Sequence, residues 1–554
     1  MPRPYPAALL LPGDAFDTTQ LQVLGRRVAG RSFAQGLVGQ LRVDEQLTLL
    51  VTTPGERDQL RALLEPHLPR GAQLHIRLGF PREALLATGA LHVPDPGLAR
   101  WELLRSGCSA NAFSLTGVIH TICSQSVFES MERLLTAPLQ PWDALVCTST
   151  AGRTVVQEAM DHHHGALQRR FGVVLPRPPG PQLPLIPLAV ADSLPPNGQS
   201  RHQRRLQARQ QLGLAADAFV VLFLGRLSFH SKAHPLVLYR AMARLAATAP
   251  QALLLECGHI YNESVAEAYA ELELSFPQLA RRRLGGLQPA TEAEKALALA
   301  AADVFVSPAD NLQETFGLSV IEAMAAELPV VASDWNGYRD LVANGSTGAL
   351  IPTAMVRGNA EQLDDLDRLY RLGLLDYDTI VGLRSLQVVI EEDALVQILT
   401  SLWADPGLRQ RWGTAGRRRW QERFCWPVVA AQYRQLWEEL GELRAQAGAA
   451  PAAPSASAPT GRMFAGYASS AFQAEALRVP PMATPAAWLR RPMQRSFFSQ
   501  LCGAAFEALI GHLERNGRVD RQDLSALGVD PAQQLNVLAA LVKFGVAVPE
   551  ASQP

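Results

Sequence analysis

DVFVSPADNLQETFGLSVIEAMAAELPVVASDWNG, residues 303–337, is the stretch that decides the fold. Its apolar, β-branched run Val304-Phe305-Val306 stops at Ser307-Pro308, a polar loop leads to a helix-period segment opened by Gly317, and Leu328-Pro329-Val330-Val331 starts a second buried run. Strand, loop, helix and strand make a βαβ unit. In such units ligands bind where the strand's carboxyl end meets the helix N-terminus, because unpaired N–H groups and the positive end of the helix dipole converge there.

The loop carries Glu314, and Glu322 follows inside the helix with seven residues between them, so both carboxylates can face one crevice. The Thr315-Phe316-Gly317-Leu318 backbone lies between, offering N–H groups to an anion. A carboxylate repels a phosphate, so the two glutamates suit hydroxyls: a sugar and a ribose on either side of a diphosphate. Read alone, the pair fits equally well a solvated loop glutamate and an ordinary helix-face glutamate.

Other strands follow the same alternation with helices. In the first half they are AALLLPG (7–13), LTLLVTT (47–53), QLHIRLG (73–79), AFSLTGVIHTI (112–122) ending at His120, and the apolar start of WDALVCTSTAGRTVVQEAM. The Pro-rich 176–187 then leads into LAVADSL, a domain exit near residue 190. In the second half FVVLFLGRLSFHSKAHPL ends a buried strand in Gly225-Arg226 with Lys232 in the following loop, and ALLLECGH, ARRRLGGL and DVFVSPA continue. This alternation predicts α/β architecture with doubly wound parallel sheets. Arg226 and Lys232 at one strand end, beside the Glu314 loop, form a diphosphate clamp.

The glutamate pair, the Pro-Val-Val strand, Gly-Arg-Leu and the following lysine together resemble the family-4 glycosyltransferases, over roughly residues 7–440. The resemblance implies the GT-B fold, two Rossmann-like domains facing a cleft, and a hexosyltransferase that moves a sugar from a nucleoside-diphosphate sugar to an acceptor hydroxyl with retention. It implies that Glu314 and His120 hold the donor sugar, that Glu322 holds the ribose, and that Arg226, Lys232 and the N–H groups around Phe316-Gly317 stabilise the departing diphosphate. It also places Gly13 beside the donor phosphates and Leu287 near the base. Without the resemblance, His120 at a strand end is a structural residue. A GT-B epimerase or phosphorylase, or a non-catalytic scaffold, remains an alternative on the same fold.

The expected boundaries are 1–190 for an acceptor-side domain, 191–424 for the donor domain, and 425–443 for a helix crossing back onto the first domain, the core being complete by Leu440. Residues 444–496 are a linker, Ala-Pro-Ser-rich at 444–462, and 497–554 a small helical, winged-helix-like unit. Asp530-Pro531 there is a helix start. Its last helix carries one cation, Lys543, so it suits a protein partner or self-association and not nucleic acid.

Composition agrees. At 554 residues and 48% apolar the chain can bury large cores, and a net charge of −1 gives no nucleic-acid footprint. Six scattered cysteines without CxxC spacing predict reduced core residues of a cytoplasmic protein. The first apolar run is too short for a signal sequence and none spans a bilayer, which leaves peripheral contact, through a basic helix bearing Arg26, Arg27 and Arg31 or a lipid-linked acceptor. No metal or cofactor is expected. His162-His163-His164 point apart on a helix, and Asp365-Leu366-Asp367 sits in a polar, helix-like run.

Overall fold

A computed structural model describes residues 2–17, 25–194, 198–356, 364–448, 450–451, 458–469, 476–481 and 483–550. Part of the Ala-Pro-Ser stretch lies outside them, and Arg26, one of the cations of the expected basic helix, is described in its backbone only. The chain divides into two compact units, residues 1–456 and 457–554.

The first unit holds two parallel six-stranded sheets. One contains β1 (Arg3–Leu10), β2 (Glu45–Val51), β3 (Gln73–Leu78), β4 (Ala90–Val93), β5 (Ser114–Val118) and β6 (Ala144–Val146) in the order β3-β2-β1-β4-β5-β6. The other contains β7 (Phe219–Leu227), β8 (Ala252–Ile260), β9 (Arg281–Gly286), β10 (Val304–Ser307), β11 (Val330–Ser333) and β12 (Gly348–Ile351) in the order β12-β11-β10-β7-β8-β9. The strands are apolar on both faces because helices cover both. Leu9, Leu47 and Leu49 pack to one side, and Ala8, Leu10 and Leu50, the alternate residues, pack to the other. The strand order reverses between β1 and β4 and between β7 and β10, and in open sheets such a switch point leaves a crevice at the strands' carboxyl ends.

Sequence reading passed over β4. Four residues are too few to show a period, yet Leu91 and Val93 are fully buried at the sheet's centre. The run expected over 112–122 is strand only through Val118, so His120 stands in the loop beyond it. The mainly helical region after 360 also contributes β14 (Val388–Ile390), paired antiparallel to β13 (Thr353–Met355).

The helix Trp426–Gln446 packs on the first sheet through Trp426, Val429, Tyr433 and Trp437, and Arg434 grips the buried Glu45 at 2.6 and 2.8 Å. Its last turn is also engaged: Asn111 Nδ2 donates to the Arg444 carbonyl at 3.2 Å, and Ala110 N–H to the Pro451 carbonyl at 3.3 Å. The first unit therefore extends past Leu440 to at least Pro451.

The second unit begins earlier than residue 497. Leu477 and Leu489, inside the range expected to be linker, are fully buried in its core with Phe498, Leu509 and Val537. It is also not purely helical. Strands β15 (Ala476–Arg478), β16 (Arg518–Asp520) and β17 (Val548–Pro549) form an antiparallel sheet in the order β16-β15-β17. Asp530-Pro531 makes a turn, with Asp530 accepting from the Ala532 N–H at 2.9 Å, and the helix starts at Gln534.

Each unit has its own core, so a chain ending at residue 456 is expected to fold without the second unit. Thermal unfolding of the truncated chain checks this, and an insoluble truncate would show the units to be interdependent.

Candidate functional site

The crevice between β7 and β10 gathers charged side chains from two loops and a helix. Gly225, near the end of β7, has φ +151, and a Cβ there would approach Lys232 Cε at 3.2 Å. The bare backbone lets Lys232 lie over the strand end. Asn311, fully buried, donates to the Lys232 carbonyl and ties this loop to the one after β10.

Lys232 reaches Glu314. Its ammonium donates to Glu314 Oε2 and stands 3.4 Å from the Tyr338 hydroxyl, which is itself 3.3 Å from Glu314 Oε2 and 2.8 Å from Ser307 Oγ. Phe316 N–H donates to Glu314 Oε1 at 3.4 Å and Asn336 Nδ2 to the Glu314 carbonyl at 2.7 Å. Burial pushes the Glu314 carboxyl up, but the Lys232 charge and hydrogen bond outweigh it and hold the group below the usual carboxylate range. Burial likewise opposes the Lys232 charge, and Glu314 more than compensates, raising it. The pair is ionised and coupled.

Gly317 opens the helix Leu318–Ala325 with φ +110, and a Cβ there would sit 2.4 Å from the Tyr338 ring. Only glycine lets the chain turn from Glu314 into the helix against that tyrosine. Glu322, inside the helix, pairs with Lys295 at 2.6 Å. The two glutamates thus sit in separate ion pairs.

Arg226, in β7, donates to the Ser231 carbonyl at 3.5 Å, a long contact. Lys232, expected beside it as the second half of a cation clamp, pairs with Glu314: its stem lies over Gly225 toward β10, where the buried carboxylate is.

The two halves of the unit meet at Thr315. Its Oγ1 donates to the His120 carbonyl at 2.6 Å, and its own carbonyl accepts from Ser149 Oγ at 2.7 Å. His120 lines an apolar pocket with Leu11, Phe33, His92, Leu318 and Trp426, so His120 and Leu318 do come together. Gly13 does not join them as a free donor. Its N–H goes to Glu56 Oε1 at 2.8 Å, and the same carboxylate accepts from Thr52 and Thr53. Leu287 directly follows β9 and is 47% exposed. Asp365 and Asp367 pair with Arg368 and Arg384 in the first turn of the helix Asp365–Arg371.

Sequence reasoning missed Tyr338, Asn336, Lys295 and Ser149. The signal for the first two was present in SDWNGYRD, polar residues at the carboxyl end of β11, a direct neighbour of β10. Lys295 gave none, since it lies in an ordinary amphipathic helix.

His92, in the pocket wall, is buried among Phe33, Tyr433 and Trp437, with Nδ1 3.1 Å from Thr116 Oγ1. Burial, aided by the charge of His120, pushes its pKa down to about 3. A depressed folded pKa means the unfolded chain binds the proton more tightly. Stability is then full above the ordinary histidine pKa of about 6.5 and falls by roughly one kcal/mol per pH unit toward pH 3. Denaturant titrations of His92→Phe should lose about one proton of this acid dependence, and an unchanged slope would exclude His92 as its source.

Residues 204–368 match the family described as Glycosyl transferases group 1, and that segment contains Arg226, Lys232, Glu314 and Glu322. A D-inositol 3-phosphate glycosyltransferase from Thermobispora bispora is 37% identical over 177 residues, 30% of this chain and 40% of the relative. An alpha-maltose-1-phosphate synthase from Mycobacterium tuberculosis is 27% identical over 233 residues, 42% of this chain and 50% of the relative. The chain thus spans half or less of the curated relatives' length. Among solved structures, Anabaena HepE in complex with UDP superposes with a TM-score of 0.51 at 16% identity, covering 78% of this chain and 100% of HepE. A glycosyltransferase from Rickettsia africae also gives 0.51, at 12% identity, covering 78% of this chain and 98% of its own. At such identities the likeness is one of fold, the two-domain GT-B fold.

Proposed function

We propose that this chain is a retaining glycosyltransferase that moves a hexose from a nucleoside-diphosphate sugar to an acceptor hydroxyl, without a metal ion. The observation that carries the reading is the buried Lys232-Glu314-Tyr338 cluster at the β7/β10 switch point, beside Arg226 and the helix opened by Gly317. The group 1 match to this segment and the UDP held by a protein of the same fold support it.

As the bond between the anomeric carbon and the diphosphate oxygen breaks, its electron pair stays on the diphosphate. The new bond forms from the acceptor oxygen, and glycoside, nucleoside diphosphate and a proton result. Charge growing on the leaving group calls for preorganised positive groups. Arg226, the Lys232 ammonium and the N–H groups at the start of the helix Leu318–Ala325 are suited to this role. Glu314, held ionised by Lys232, accepts from sugar hydroxyls, Glu322 accepts from the ribose, and His120 faces the donor sugar from the other half. The apolar pocket beside His120 belongs to the acceptor side, where a glycan or lipid-linked acceptor would enter.

Incubating the protein with nucleotide-sugars and resolving products by mass and anomeric configuration tests the reading. Transfer with retained configuration, persisting in EDTA, is expected. An epimerised nucleotide-sugar, inverted product or transfer restored only by magnesium or manganese would overturn it in the corresponding part.

A further inference from the structure

At the opposite end of the second sheet lies a polar cavity of about 200 Å³, lined by Arg205, Arg209, Asp217, Phe219, Asp303 and Arg409, among others. Phe219 begins β7 and Arg226 nearly ends it, so seven residue steps place this cavity roughly 23 Å from the donor crevice. Nothing in the transfer chemistry uses it.

Its charge is unbalanced. Asp303, 3% exposed in its side chain, accepts from Arg205 at 2.6 Å, from Arg209 at 2.5 Å and from the Val220 N–H at 2.8 Å, so the carboxylate is saturated. Arg209 spends Nε, Nη1 and Nη2 on Ala301, Ala216 and Asp303 and is a structural strut. Arg205 and Arg409 are different. Among the described residues, the hydrogen bonds they donate run through Nη1 alone, to Asp303 for Arg205 and to the Leu402 and Trp403 carbonyls for Arg409. The Arg409 guanidinium lies 5.5 Å from the Phe219 ring centroid, which holds its plane at the cavity wall. Among the lining residues three guanidiniums stand against Asp303, already used, and Asp217, exposed at the rim, while Asp405 also acts on Arg409 from outside the lining.

We propose that this cavity is a second anion site, built to take a phosphate group, either as the free ion or as a small phosphate monoester, between Arg205 and Arg409. Two guanidiniums with unspent forks, one partly exposed and one fixed on an aromatic ring, match the bidentate geometry of phosphate oxygens. Burial makes the charges of Arg209 and Arg409 costly where they stand, with Arg205 adding to the repulsion, and an anion relieves both. The volume, several times the ~30 Å³ share of one water, leaves room for more than a bare ion.

Titration calorimetry of the full chain with inorganic phosphate and with glucose 6-phosphate tests this. Because phosphate can also enter the donor crevice, Arg226→Ala is the control: saturable binding should survive it. Binding should weaken at least tenfold in Arg205→Gln and in Arg409→Gln, while transfer by Arg205→Gln measured without phosphate stays unchanged. Arg205 makes one hydrogen-bonded ion pair and is partly exposed, so its variant keeps the test valid if Arg409→Gln misfolds. Equal affinity for the two ligands assigns the site to the free anion, and a tighter sugar phosphate assigns it to the monoester. No saturable binding, or binding lost in Arg226→Ala and kept in Arg205→Gln, would overturn the proposal.

Discussion

Replacing Lys232 by methionine is expected to lower folding stability by about 3–5 kcal/mol and turnover by on the order of a hundredfold or more. The two losses have one cause. Glu314 is 14% exposed in its side chain and its charge is balanced chiefly by the Lys232 ammonium, with the Tyr338 hydroxyl and the Phe316 N–H as neutral donors. Methionine fills the stem's volume over Gly225 but leaves a buried carboxylate without its cation. Adding Glu314→Gln removes the unpaired charge, so the double variant should recover most of the stability and none of the transfer. Chemical denaturation and initial-rate kinetics on the three variants check this. Near-wild-type stability of the single variant would mean that Glu314 is charged for some other reason, and recovery of transfer in the double variant would exclude Lys232 from the chemistry.

Arg226→Ala is expected to separate the effects in the other direction: about a hundredfold lower turnover with little change in stability. Among the described residues its guanidinium donates one long bond, to the Ser231 carbonyl at 3.5 Å, so the fold depends on it weakly. Its place near the carboxyl end of β7, next to the reversal of strand order, puts it where a departing diphosphate gathers charge. A loss confined to KM would mean it binds ground and transition states equally, and near-normal turnover in a folded variant would remove it from the site.

Much of the donor side was legible in the chain. Residues 303–337 show the βαβ unit because buried parallel strands are continuous apolar runs, and a helix packed on them has a period near 3.6. The glutamate spacing, Gly317 at the turn and Arg226 at a strand end followed from position along the chain. The expectation for Gly13 did not carry through, because whether a loop N–H is free depends on what lies opposite, and Glu56 reaches it from 43 residues away. The reach of the second unit to Leu477 was hidden for the same reason: a three-residue strand has no period, and it becomes core only when β16 and β17 pair with it.

By itself, then, the sequence determined the alternation of strand and helix, the doubly wound class and the residues available at each strand end, since these depend on local pattern. Tertiary structure alone decided which of those residues are partners. Lys232 stands six residues beyond Arg226, yet it pairs with Glu314, 82 positions away, because β7 and β10 are neighbours at the reversal of strand order. Lys295 reaches Glu322 from a helix whose sequence is ordinary. A buried charge takes the nearest cation in space, and that distance is set by strand order, which no local pattern encodes.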